Sequence, residues 1–371
     1  MSDAAMDRPD TAAVRMVAVI RFFWTPIVLS LFALAVVVIV WASGDGVIAR
    51  TITDALIRTV LVIGLYIFIG NSGVLAFGHI AFMLIGGYAA AWFTMSPFKK
   101  SFALDLPPIL ANNEFPLFPS AIVAGLLPAL VAAIVGIPIM RLSGIAASIA
   151  TFAVLAIFYT VYSNWDSWTF GASTLVGIPI YVNMWIALAW AVFAMFVAYI
   201  YQQTKFGLAL RATREDPVAA RAAGINISAQ RLIAFVVSAF FMGIAGVLQA
   251  HFLGSLIVNG FWLGITFLSL AMLIIGGQRS LTGAVVGVTV VSTIVELLRQ
   301  VEAGVEVGGI TFELPGGFQE LGLAVLMIVI LIYRPAGIMG GLEVPWPFGG
   351  NRRVLAGGFT IVRAERAPAG E

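Results

Sequence analysis

The chain contains no cysteine and only two histidines among 371 residues. That excludes disulfides, thiol nucleophiles and thiolate metal sites, and leaves too little imidazole for a histidine-rich metal centre, so no metal site is expected. Charge is scarce too. Asp, Glu, Lys and Arg make up 10% of the residues against 61% hydrophobic, where soluble domains carry about 25% charged residues. No charged residue occurs from Thr59 to Phe98, from Ser167 to Thr204 or from Leu232 to Gln278. A membrane-crossing helix needs about 20 apolar residues, so each of these runs holds one or two spans. Several motifs are missing as well: there is no GxxxxGK[ST] phosphate loop, no HExxH and no GxSxG. The chain therefore lacks the usual device for cradling ATP and any clustered catalytic set, which argues against a membrane-embedded enzyme.

What is present reads as an all-α polytopic membrane protein. Hydropathy and breakers place about ten spans at 26–43, 52–70, 74–95, 119–140, 144–162, 182–202, 231–253, 260–277, 281–299 and 317–333. The glycine-rich 260–277 segment is expected to be broken or re-entrant. Arg8, Arg15 and Arg21 precede the first apolar run with no nearby cleavage pattern, which fits a retained first helix. The expected division is a cytoplasmic segment 1–25, a transmembrane unit 26–340 with a cytoplasmic loop 203–231, and a cytoplasmic tail 341–371.

Basic residues favour the cytoplasmic side. The 205–231 loop and the tail, with Arg334, Arg352, Arg353, Arg363 and Arg366, are assigned there. The 301–320 stretch holds Glu302, Glu306, Glu313 and Glu320 without a basic residue, and the 163–181 stretch holds only Asp166; both read as external. Ten alternating spans then put both termini in the cytoplasm. Lys99 and Lys100 fall on the external side, against the rule.

The longest polar interruption is KFGLALRATREDPVAARAAGINISAQR, Lys205 to Arg231. Asp216 suits a helix N-cap and Pro217 the first turn, Val218 to Ala223 favours helix, and Gly224 suits the left-handed residue that ends it. A capped, charged helix on one side of a membrane protein is a docking element for a soluble partner.

Two apolar segments stand out. Asn71 to Tyr88 carries Asn71, Ser72, Gly73, Gly78, His79, Gly86, Gly87 and Tyr88, and Phe261 to Gly287 includes Gly276 and Gly277. Clustered small residues mark close helix packing or broken helices lining a pathway. Asn71, Ser72 and His79 favour the pathway, because polar groups at membrane depth face the protein interior or water. His79 and His251 read as structural hydrogen-bonding residues, Glu296 and Arg299 as an i,i+3 pair, and Trp165 and Trp168 as interfacial aromatics. Ion-coupled carriers and pumps keep charges deep in their spans. With the deep spans read as uncharged, energy is expected to arrive from outside the chain. The rival classes are an ATP-independent secondary transporter or a channel.

Five blocks in order then resemble one family. They are SGVLAFGHIAFMLIGGYAAA (72–91), RLSGIAASIATFAVLAIFYTVYSNW (141–165) with TFGASTLVGIP (169–179), GLALRATREDPVAARAAGINISAQRLIAFVVSAFFMGIAGVL (207–248), LAMLIIGGQRSLTGAVVG (270–287) and YRPAGIMG (333–340). The chain resembles the permease subunits of bacterial ABC importers for branched-chain amino acids, a group that includes the related urea and amide importers. The resemblance implies the ABC importer permease fold in the inner membrane. It implies pairing with a homologous second permease, two cytoplasmic ATP-binding subunits and an external substrate-binding protein that delivers a small polar substrate. ATP and Mg would be bound by the partner subunits, leaving this chain with no cofactor, no ATPase site, no nucleic-acid partner and lipid as its surroundings. The resemblance further implies a coupling helix of the form E-A-A-x-x-x-G: Ala219, Ala220 and Gly224 keep the spacing, Val218 stands in place of the Glu, and Glu215, Asp216, Pro217 and Arg221 complete the element. In 169–179, Phe170 replaces a glycine of the family pattern, which leaves the urea or short-amide class as the alternative substrate reading.

Overall fold

The computed structural model of the chain describes residues 20–302, 305–307, 310–312, 317–347, 353–354 and 360–361. Arg8, Arg15, Glu313, Arg352, Arg363 and Arg366 lie outside the described residues. The spanning helices are α1 (Trp24–Ser43), α2 (Gly46–Leu65), α3 (Ile80–Thr94), α4 (Leu117–Ile139), α5 (Ile145–Asn164) and α6 (Met184–Gln203). The polar stretch forms α7 (Lys205–Glu215) and α8 (Pro217–Ala222), and the chain returns through α9 (Ile227–Leu253), α10 (Leu263–Gly276), α11 (Leu281–Glu302) and α12 (Phe318–Tyr333). Among the described residues, eight helical segments are long and apolar enough to cross a membrane; α3 and α12 are shorter apolar helices. These ten correspond one for one to the expected spans. The 260–277 segment forms a single crossing-length piece, Val258–Gly276, once a 3-10 turn is counted.

The centre is α9, which packs on α2, α3 and α4. Small residues set the spacing. A Cβ on Gly86 of α3 would collide with the Gly243 backbone of α9, and one on Gly246 with the Met83 carbonyl. The two helices touch backbone to backbone there, which brings Gly86 and Gly87 under the packing reading. Tyr88 is fully buried, with its ring 5.4 Å from that of Tyr162.

At one end of the bundle, the loops after α5 and α9 pair as two-residue strands, Leu175 with Leu256 and Val176 with Ser255. His251 Nδ1 lies 2.9 Å from the Pro179 carbonyl, and its other nitrogen 3.3 Å from Thr94 Oγ1. Lys99 and Lys100 are held at this end. Lys99 Nζ donates to the Gly177 carbonyl at 3.2 Å, and the buried Lys100 donates to the carbonyls of Leu110 and Asn113 at 2.8 and 2.7 Å. Both charges are thus taken up by backbone carbonyls of the segments around them. Trp165 and Trp168 stack with centroids 5.1 Å apart, and Trp168 meets Trp92 edge-on.

At the opposite end the chain folds back after α12. Ile338 and Met339 donate backbone N–H groups to the Ile275 and Gly276 carbonyls at 2.9 and 3.0 Å. Glu343 accepts from Leu281 N, Thr282 N and Thr282 Oγ1 at 2.9, 3.0 and 2.6 Å, capping α11 from far along the sequence. Burial pushes this carboxyl above its ordinary range, against the pull of the three donors. Trp24 reaches the same segment through a 3.0 Å hydrogen bond to the Pro345 carbonyl. Residues 341–347, expected as part of a tail, are thus built into the bundle.

Candidate functional site

The site begins with a defect in α2. After Leu65 the helix widens into a π-turn, Tyr66–Gly70, and then breaks. Asn71 follows, and its amide donates to the Ile67 carbonyl at 2.9 Å, satisfying a backbone acceptor that the widened turn leaves free. Gly73 takes φ +70°, and the chain runs non-helically until α3 starts at Ile80. The span expected from residue 74 therefore begins six residues late, because residues 74–79 are non-helical though apolar. Val74 N is held by Ser72 Oγ at 3.2 Å, and the Leu75 carbonyl by Ser148 Oγ at 2.5 Å. Gly78 lies against the Thr151 backbone so closely that a Cβ there has no room. His79 packs among the rings of Phe68, Phe82 and Phe235, at 5.2, 6.1 and 5.2 Å, and among the described residues no side chain comes within hydrogen-bond reach of its nitrogens, so packing against aromatic rings replaces the hydrogen bond to a neighbouring helix that was expected.

Two arginines of α7 fasten onto this break. Arg211 and Arg214 are one turn apart, so they share a face of the helix. Arg211 is buried: its Nε donates to Asn71 Oδ1 at 2.7 Å and its Nη2 to Gln202 Oε1 at 2.7 Å. Tyr66 donates its hydroxyl to the same Gln202 oxygen at 2.5 Å. The Arg211 guanidinium thus joins α6, α7 and the π-turn through neutral acceptors; among the described residues, its Nη1 and Gln202 Nε2 are buried with no hydrogen-bond partner. Arg214 donates from Nη1 to the Gly70 carbonyl at 2.5 Å, and its stem covers Gly73, whose added Cβ would meet Arg214 Cγ. Its other nitrogens hold Glu215 Oε1 at 2.7–3.1 Å, and that interaction keeps the Glu215 carboxyl below the usual carboxylate range.

The next element carries the expected caps. Asp216 Oδ1 accepts from Val218 N and Ala219 N at 2.8 and 3.0 Å, Pro217 opens α8, and Gly224 closes it at φ +80°. Ala220 is buried, Ala219 and Arg221 are exposed, and Val218 stands 75% exposed. The polar stretch is therefore two helices meeting at Asp216, with Glu215 ending the first. Arg231 lies one turn inside α9 and not in a loop.

The second glycine pair sits beside the first break. Gly277 has φ +116° and turns the chain from α10 to α11; Gly276 is packed against Gly283 and Gly287. A Cβ on Gly70 would lie 2.6 Å from the Gln278 carbonyl, so the two helix interruptions touch. The sequence reading grouped these residues by composition. The structure joins Asn71, Ser72, Gly73, Gly276 and Gly277 at the end that also holds α7 and α8, whereas Gly86, Gly87 and Tyr88 belong to the packed centre.

Three structurally placed charges escaped that reading. Arg211 was counted among loop charges, and only its place on the same face as Leu210 and Gly207 hints at burial. Asp54 and Arg58 lie inside the second span, which corrects the expectation that the deep spans are uncharged. They form an i,i+4 ion pair of 2.6 Å, about 12–18 Å along α2 from its start. The Glu296–Arg299 pair closes at 2.7 Å as expected.

A bundle of membrane-length helices with two touching interruptions, clasped by a polar two-helix projection, defines a polytopic permease. The chain belongs to the family of branched-chain amino acid transport system permease components, whose pattern it matches over residues 47–333. It is 25% identical over 351 residues to the high-affinity branched-chain amino acid transport system permease protein LivM of Salmonella typhimurium, covering 84% of this chain and 74% of that one. The Escherichia coli protein of the same name matches to the same extent. A probable branched-chain amino acid transport permease protein LivM of Methanocaldococcus jannaschii is 30% identical over 168 residues, covering 43% of this chain and 46% of the relative. No solved structure matches the chain.

Proposed function

We propose that this chain is one transmembrane half of an ATP-driven importer that moves branched-chain amino acids into the cytoplasm across the bacterial inner membrane. Its partners are a homologous permease, two cytoplasmic ATP-binding subunits that bind ATP and Mg, and an external binding protein. The reading is carried by the α7–α8 projection. One helix is capped by Asp216, ends at Gly224 and presents Val218 to solvent, while its neighbour is fastened by Arg211 and Arg214 to the break in α2. A push on α8 from an ATPase passes through the junction at Asp216 into α7, and from there reaches Asn71 and Gly70 through the side chains of Arg211 and Arg214. Glu215, Asp216, Pro217, Ala219, Ala220, Arg221 and Gly224 form the docking element, and Asn71, Ser72, Gly73, Gly276 and Gly277 the moving part it acts on. The projection, the fold-back after α12 and the start of α1 lie at one end, which we assign to the cytoplasm together with both termini.

The test is reconstitution with the ATP-binding subunits and binding protein encoded nearby. Leucine uptake that requires ATP and all subunits is expected; uptake by this chain alone would overturn the reading. Calorimetry of the binding protein with leucine, isoleucine, valine and urea separates the amino-acid class from the urea class.

A further inference from the structure

A second feature of α2 lies toward the opposite end from the arginine clasp. A cavity of about 180 Å³ opens between α2, α3, α9 and α10, lined by the polar Asp54, Arg58 and Gln249 and by the apolar Leu61, Leu268 and Met272. Its volume is that of about six waters, the scale of a small amino acid and too small for a peptide. The Asp54–Arg58 pair uses one carboxylate oxygen and one guanidinium nitrogen at 2.6 Å, and both side chains are about a quarter exposed. That contact does not use Asp54 Oδ1 or Arg58 Nε and Nη1. An i,i+4 pair adds little to helix stability, and ionisable groups inside a spanning helix are costly and mark function by default.

We infer that this cavity is a binding site for a free aliphatic α-amino acid zwitterion on its way through the protein. The inference rests on the amino-acid reading above and specifies where that substrate is held. The ligand ammonium bonds the free oxygen of Asp54, its carboxylate takes the remaining guanidinium donors of Arg58, and its side chain lies against Leu61, Leu268 and Met272. Gln249 supplies a neutral donor and acceptor at the rim. Arg58 presents a planar fork suited to a carboxylate. A neutral amide such as urea meets only one half of each charge, so the site favours a zwitterion.

The test uses the absence of cysteine. In membrane vesicles from cells carrying the intact transporter, the variant Leu268→Cys gives this chain a single thiol. Its modification by a small methanethiosulfonate is followed with and without ligand. Millimolar leucine is expected to slow modification, while leucinamide, 4-methylpentanoate and urea leave it unchanged. Adding Arg58→Gln raises the leucine concentration for half-protection about tenfold, the effect of losing one charge-assisted hydrogen bond. Asp54→Asn does the same should the Arg58 variant fail to reach the membrane. If wild-type vesicles import leucine and the thiol reacts equally fast with or without it, the site is wrong and the transport reading stands. Equal protection by 4-methylpentanoate removes Asp54 from the site and overturns the zwitterion assignment. Wild-type vesicles that import no branched-chain amino acid sink both.

Discussion

Arg211 and Asn71 are separated by 140 positions, yet the guanidinium Nε and the amide oxygen meet at 2.7 Å in a buried site. The contact makes a helix of the polar loop continuous, through one side chain, with the broken end of a spanning helix.

Arg211→Met removes three charge-assisted hydrogen bonds, to Asn71, Gln202 and the Tyr66 hydroxyl, and leaves Asn71 Oδ1 without that donor in a buried site. It is expected to destabilise the protein by about 2–3 kcal/mol, read as a lower melting temperature in detergent. Arg211→Lys does not restore it, because an ammonium lacks the fork that spans Asn71 and Gln202. A melting temperature unchanged in both variants would show that the clasp contributes nothing.

Asp216→Ala deletes the cap of α8 and costs that helix about 1 kcal/mol, whereas Asp216→Asn keeps an acceptor and most of the stability. Substrate-stimulated ATP hydrolysis of the assembled transporter should fall with Ala and persist with Asn. Equal activities would remove the cap from the coupling route.

Lys100 links pH to stability. Desolvation lowers its pKa to about 8 from the ordinary 10.5, opposed by the nearby Glu114 carboxylate. Between those values the unfolded chain holds a proton that the folded chain has released, so stability rises with pH across that window. Below pH 8 both states are protonated and the burden of the buried charge is constant. The melting temperature of wild type relative to Lys100→Met should therefore climb from pH 8 to 10; a flat difference would contradict the assignment.

Gly86→Ala forces α3 away from the Gly243 backbone, a move that costs about 1–3 kcal/mol by overpacking. Gly264→Ala, at a helical glycine with open space around it, is neutral or slightly stabilising. Comparing the two variants by thermal melting in the same detergent isolates the crossing from any general effect of adding a methyl group.

The sequence disclosed what local chemistry controls. The Asp216–Pro217 start and the Gly224 stop are readable because cap and turn residues act within a few positions. The ten spans are readable because lipid demands length and apolarity. Residues 74–79 were hidden, since a non-helical segment packed inside protein has the same apolar composition as a helix. Only tertiary neighbours, Thr151 against Gly78 and Arg214 against Gly73, show that helix does not form there. The partners of Lys99 and Lys100 were hidden for a related reason: they are backbone carbonyls, and composition does not show which carbonyl a side chain will reach. Asp54 and Arg58 were overlooked because they stand just before the charge-free run, and only the structure places them beside a cavity.

The Glu343 cap has a consequence for how the bundle is completed. The first backbone donors of α11 are made some sixty residues before the carboxylate that receives them. A nascent chain can thread α11 and α12 into the membrane with that helix start still open. The turn of chain that follows α12 then acts as a latch, ordering the earlier helix only after α12 has been inserted.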